Sequence, residues 1–218
     1  MSKESLVKEL VHEGYLKTPG IIKAFLAIDR KDFVPEEIKQ FAYLNQALSI
    51  GYGQTISQPL TVAFMLELLD LKPGDKILDV GAGSGWAAAL LAHIVSKGQG
   101  GNDEESQGGK VIAVERIQEL KDFAENNIKK YGFIESGSVK VILGDASQEM
   151  PDEAPFDKII AAAVADRIPE AWKSETRVGG RIVAPLNKSI VLLHKISATE
   201  FEKKEFFGFS FVPLVINN

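Results

Sequence analysis

Apolar positions recur at intervals of three and four near the start of the chain, with Leu6, Val7, Leu10 and Val11 followed by Ile21, Ile22, Phe25 and Leu26. That spacing predicts helix in pieces between residues 5 and 42. Turn signals at Thr18-Pro19-Gly20 and Val34-Pro35 divide the pieces. Between Asn45 and Pro59 the apolar period disappears, and Gly51, Gly53 and Pro59 punctuate a stretch rich in Gln, Ser and Thr, so a long loop is expected there. Long loops in compact domains are commonly functional. Val62, Met65, Leu66 and Leu69 restore a helix over 59–71, which Lys72-Pro73-Gly74-Asp75 ends.

A regular alternation follows. Strands are expected at 76–80, 110–115, 138–143, 156–161 and 180–184, with helices at 84–95, 117–131 and 167–174 between them. Strands alternating with helices of this length imply βαβ units and a mostly parallel sheet covered on both faces. In the tail, 189–196 and 206–215 read as strands joined by a short polar connection at 197–205, an antiparallel pair at one end of the sheet. The fold class is therefore α/β, a Rossmann-like doubly wound sheet with an antiparallel C-terminal strand pair and an N-terminal helical extension. Residues 96–109 hold five glycines, four charged residues and no large apolar side chain. Such a segment cannot bury enough to offset its ordering, so it is expected to be a mobile, dispensable surface insertion.

Composition narrows the picture. The chain has 218 residues, 45% of them hydrophobic, enough for one large domain with a core that needs no disulfide staples. Cysteine is absent, which excludes disulfides, thiolate nucleophiles and cysteine-ligated metals and suits a cytoplasmic location. The formal charge is −5 and no long basic block stands out, so nucleic-acid capture is not favoured. Lys3, Glu4, Lys8 and Glu9 leave no apolar leader, and no run is long enough to span a membrane. A monomer without nucleic-acid or membrane partners is expected.

The sharpest local signal is Ile77-Leu78-Asp79-Val80-Gly81-Ala82-Gly83-Ser84-Gly85-Trp86, a strand entering a glycine-rich turn before a helix. Glycines allow a tight turn and a close approach of backbone to ligand at the carboxyl end of the first core strand. The spacing is GxGxG; bulky Trp86 stands where a dinucleotide fingerprint needs glycine, and no P-loop Lys follows. Asp79 just before the turn favours a cationic ligand, and S-adenosylmethionine carries both an ammonium and a sulfonium. Glu115 ends the second strand, and without the insertion its separation from Gly85 approaches the usual figure of about 20 residues for a ribose-binding acid. Its carboxylate can accept from both ribose hydroxyls. Gly144-Asp145-Ala146 ends the third strand, where an acid can accept from the adenine amino group. His12, His93 and His194 lie far apart without i, i+4 pairing, so no metal site is expected. Ser57 has no nucleophile elbow, and just before Pro59 it could simply cap a helix.

Beyond the glycine turn, Gly51-Tyr52-Gly53-Gln54-Thr55-Ile56-Ser57-Gln58-Pro59 resembles the GxGQTISQP segment of the protein-L-isoaspartate O-methyltransferases. Arg30-Lys31-Asp32-Phe33-Val34-Pro35 resembles their RxxFVP stretch, Glu115-Arg116-Ile117-Gln118-Glu119-Leu120 their ERIPEL stretch, and Phe211-Val212-Pro213-Leu214 their terminal FVPL. The likeness covers nearly the whole chain apart from 96–109. It departs at Ala146, Trp86, Asn187, Ala162 and Asp166, and Asn45-Gln46-Ala47-Leu48 replaces an acidic-X-Pro-Leu pattern.

The resemblance implies one methyltransferase domain over 1–218, with N-terminal helices and a substrate loop over 1–58 and a Rossmann-like core over 59–218. It implies methyl transfer from S-adenosylmethionine to the free carboxylate of L-isoaspartyl residues in damaged proteins; the ester then cyclises to a succinimide that partly hydrolyses to aspartate. The implied substrate residues are Gln54, Thr55, Ile56 and Ser57, with the Ser57 hydroxyl orienting the carboxylate. The cofactor set is Asp79, Gly81, Ala82, Gly83, Gly85, Glu115, Arg116, Asp145 and Ala146. Two alternatives stay open: another carboxylate or small-molecule acceptor, and a non-catalytic S-adenosylmethionine-binding protein.

Overall fold

A computed structural model describes residues 1–96, 108–164, 166–209 and 211. Helix α1 (Lys3–His12) is opened by a reciprocal cap in which the Ser2 and Ser5 hydroxyls each accept from the other's backbone N–H. It buries Leu6, Val7 and Leu10. Helix α2 (Pro19–Ala27) starts on a proline already set to the helical φ. Two short 3-10 turns, Arg30–Phe33 and Glu36–Phe41, complete the N-terminal helical part.

The expected 45–59 loop is instead partly a hairpin. Strand β1 (Leu48–Gly51) pairs antiparallel with β2 (Gln54–Ile56), and Leu48 and Ile50 turn inward while Ser49 and Gly51 face out. Strands of four and three residues are too short for a period of two to stand out in sequence. Helix α3 (Pro59–Leu69) follows and ends at Asp70, which adopts the left-handed conformation.

The alternating core then runs β3 (Lys76–Val80), α4 (Trp86–Val95), β4 (Lys110–Glu115), α5 (Gln118–Lys129), β5 (Val139–Leu143), β6 (Phe156–Ala161), α6 (Glu170–Glu175), β7 (Thr176–Leu186), β8 (Ser189–Lys195) and β9 (Phe201–Phe207). These form one sheet of order β5-β4-β3-β6-β7-β8-β9, parallel from β5 to β7 and antiparallel at β8 and β9. Neighbouring residues on one strand serve opposite faces: Ile77 packs with the N-terminal helices, α4 and α5, and Leu78 with Trp172 and Phe156.

Two further expectations need correction. Strand β7 extends beyond 180–184 at both ends, and the last strand lies at Phe201–Phe207, within and just past the stretch read as a polar connection. Strand β9 is a sheet edge whose Glu202, Lys203, Lys204 and Glu205 are all exposed, a charge pattern that guards an edge while hiding its periodicity. Residues 210 and 212–215 of the expected strand, and 97–107 of the expected insertion, lie outside the described residues. No helix among the described residues is long and apolar enough to cross a membrane.

Candidate active site

Strand order reverses between β3 and β6, so the crevice at their carboxyl ends is where an open α/β sheet takes a ligand. The glycine turn is tied there by backbone bonds: Gly81 and Ala82 N–H both donate to the Val114 carbonyl, at 2.9 and 3.1 Å. Gly85 is required twice over. Its φ is +84°, and a Cβ would lie 2.9 Å from Ile128 Cδ1 and 3.0 Å from the Ala124 carbonyl, so α5 can approach only a glycine. Asn127 Nδ2 on α5 also donates to the Ser84 carbonyl at 3.1 Å.

Glu115 is 5% exposed at the end of β4. Its Oε2 accepts from Gly83 N–H at 2.9 Å, and its Oε1 from Arg116 and Ile117 N–H at 2.9 and 3.0 Å. Three of about four lone-pair directions are therefore used, which leaves room for one further donor unless the Gly83 contact gives way. Asp145 Oδ1 accepts from Ser147 N–H and hydroxyl, at 2.9 and 2.7 Å. Asp79 is wholly buried, its Oδ2 has no hydrogen-bond partner, and burial followed by the Glu115 charge pushes its carboxyl up to about 7.

A cavity opens over these groups, lined by Gln54, Thr55, Gly81, Gly83, Glu115, Arg116, Asp145 and Ala146 among others. Eight of the sequence-derived site residues thus meet in one place. Asp79, Ala82 and Gly85 do not line it; they build the turn behind it. The sequence reading missed Ala162 and Ala163, which line the cavity just beyond the end of β6. The reversal of strand order points there, but strand order is absent from local patterns.

Ser57 lines a second cavity together with Ala47, Thr55, Gln58, Thr61, Ala162, Phe209 and Phe211. Ile56 faces neither cavity and is buried in the core. Ser57 does not cap α3: that helix takes its cap from Asn45, whose Oδ1 accepts from Leu60 N–H at 3.0 Å. The two cavities share Thr55 and Ala162.

The first cavity fits S-adenosylmethionine. Two carboxylates and a single cation, Arg116, contribute to its described lining, and the orphaned Asp79 oxygen stands behind it, an arrangement suited to a cationic ligand and poor for a diphosphate. With the doubly wound sheet and the glycine turn, these features define the class of S-adenosylmethionine-dependent methyltransferases. The family described as Protein-L-isoaspartate(D-aspartate) O-methyltransferase matches residues 1–218, and the chain belongs to it.

A protein-L-isoaspartate O-methyltransferase of Methanopyrus kandleri is 41% identical, over 98% of this chain and 91% of its own length. One from Pyrococcus horikoshii is 38% identical, over 96% and 90%. A Plasmodium falciparum crystal structure, provisionally described as a protein-L-isoaspartate O-methyltransferase in complex with S-adenosyl-L-homocysteine, superposes with a TM-score of 0.86 at 26% identity and covers 100% of both chains.

Proposed function

We infer that this protein transfers a methyl group from S-adenosylmethionine to the free α-carboxylate of L-isoaspartyl residues in damaged proteins, the step that starts their repair. One observation carries the reading beyond family membership: an acid-rich cavity and a neighbouring cavity meet across Thr55 and Ala162, so donor and acceptor can face one another over a shared wall. When bound, S-adenosylmethionine supplies its methyl group from a sulfonium centre that is left as a neutral thioether.

The acceptor carboxylate is ionised near neutral pH, so its oxygen forms the new bond to carbon without a base, and no proton moves. The work of the chain is therefore alignment, and proximity supplies much of the acceleration. Glu115, Asp145 and the 81–85 turn hold the donor, with Asp79 charge-matched behind them. Ser57, whose hydroxyl has no partner among the described residues, orients the acceptor. The enzyme works in the cytoplasm as a monomer, with no nucleic acid or membrane.

Incubation with methyl-labelled S-adenosylmethionine and a pair of peptides differing only in isoaspartyl against aspartyl linkage tests the reading. Label entering the isoaspartyl peptide alone is expected. Label in both, in neither, or only in a small molecule would overturn it.

A further inference from the structure

Arg30 is the one arginine buried to 2% exposure among the described residues, and it makes no ion pair there. Its Nη1 donates to the carbonyls of Ala42 (2.6 Å) and Leu44 (3.4 Å), and its Nη2 to those of Gln46 and Ser57 (both 3.0 Å). The guanidinium also lies 5.2 Å from the ring centroid of Trp86, the first residue of α4 after the glycine turn. One rigid fork thus joins both ends of the 42–57 segment, which carries the β1–β2 hairpin, and sets it against the element that follows the donor turn.

Carbonyls and an aromatic face soften the burial of this cation but do not neutralise it, and an unpaired buried charge is costly. Burial pushes the guanidinium down to about 9, so it stays charged at neutral pH. Of its carbonyl partners, Ser57 lines the second cavity and Gln46 directly precedes Ala47, which lines it too. A bound carboxylate would supply the missing counter-charge.

We propose that Arg30 is a positioning residue of the acceptor site, which sets the 42–57 backbone from both ends and holds an uncompensated positive charge behind the Ala47–Ser57 wall, so that the site selects a carboxylate over its neutral amide. This rests on the second cavity being the acceptor site. The charge acts on binding more than on turnover, because methyl transfer from a sulfonium to a carboxylate consumes the negative charge as the transition state is approached. The fork acts on turnover, because it places Ser57.

The test compares wild type, Arg30→Lys and Arg30→Met on an isoaspartyl peptide, with its isoasparaginyl twin as a neutral competitor, and records cofactor affinity and melting on the same samples. Wild type should bind the carboxylate at least about tenfold better than the amide, Arg30→Lys should keep that preference, and Arg30→Met should lose it. Turnover should fall severalfold in both variants while cofactor affinity is retained. A preserved preference in Arg30→Met, wild-type turnover in both variants, or cofactor affinity lost in step with turnover would overturn the proposal. If Arg30→Met does not fold, Arg30→Lys decides: lowered turnover with cofactor affinity and preference intact supports it, and any other result overturns it. A wild-type protein that leaves the isoaspartyl peptide unmethylated would refute the acceptor assignment itself, whatever Arg30 does.

Discussion

The cap of α3 comes from Asn45, and not from the serine two residues before Pro59. A serine just before Pro59 reads as a helix cap, yet the N–H of Leu60 is held by Asn45 Oδ1 from across the hairpin. Ser57→Ala should therefore leave the melting temperature unchanged and lower turnover on an isoaspartyl peptide, whereas Asn45→Ala should cost about 1 kcal/mol of stability. Wild-type turnover in Ser57→Ala, measured beside a thermal melt, would remove it from the acceptor site. Asp79 carries a pH signature. An unfolded chain ionises this carboxyl near pH 4, while the folded one holds its proton until about 7. Across that window the unfolded state binds fewer protons, so this group's contribution to the stability of the ligand-free protein falls as pH rises and levels off above about 7. Asp79→Asn should abolish that slope and be more stable at pH 8 by on the order of a few kcal/mol. Denaturant titrations of both proteins from pH 4 to 8 check this, and parallel curves would contradict it. A cationic ligand draws the proton from Asp79, so cofactor affinity should rise through about pH 7 in wild type only.

Elements were legible in proportion to their length and to the contrast between their faces. Helix α5 was readable because Leu120, Ala124 and Ile128 recur every four residues as a buried stripe on a mostly polar helix. The β1–β2 hairpin and strand β9 were not, the first for brevity and the second because four consecutive charged residues, Glu202 to Glu205, hide any period of two. At the junction of β3 with α4, Gly85 was legible as a turn residue, but its packing against α5 was not. Gly85→Ala adds a strained positive φ to a clash with Ile128 and the Ala124 carbonyl. It should cost about 1–3 kcal/mol and weaken cofactor binding, since the turn must shift to admit the methyl group. Unfolding and calorimetry on the variant would measure both, and a wild-type value for either would show that α5 yields instead.

At the scale of the molecule, the connection between α4 and β4 is closed without residues 97–107. Gly109 N–H donates to the Val95 carbonyl at 3.1 Å, and a Cβ on Gly109 would lie 2.6 Å from Val95 Cβ, so the two ends already touch. Replacing 97–107 with a short Gly-Ser turn should leave melting, cofactor affinity and methyl transfer nearly unchanged, since shortening a surface loop alters closure entropy only slowly. A large loss in any of these would show that the segment contributes to the fold or the site.

The sequence by itself determined the alternation of strands and helices, hence the α/β class, together with the glycine turn and the acids at the carboxyl ends of three successive strands. Each of these features is written within a few neighbouring residues, where periodicity and backbone requirements act locally. Tertiary structure alone decided that Ala162 and Ala163 join the site, that Asn45 caps α3, and that Arg30 gathers carbonyls from both ends of the hairpin segment. Each of those contacts depends on strand order or on packing between segments distant along the chain, and no local pattern encodes which distant partner a buried polar group will find.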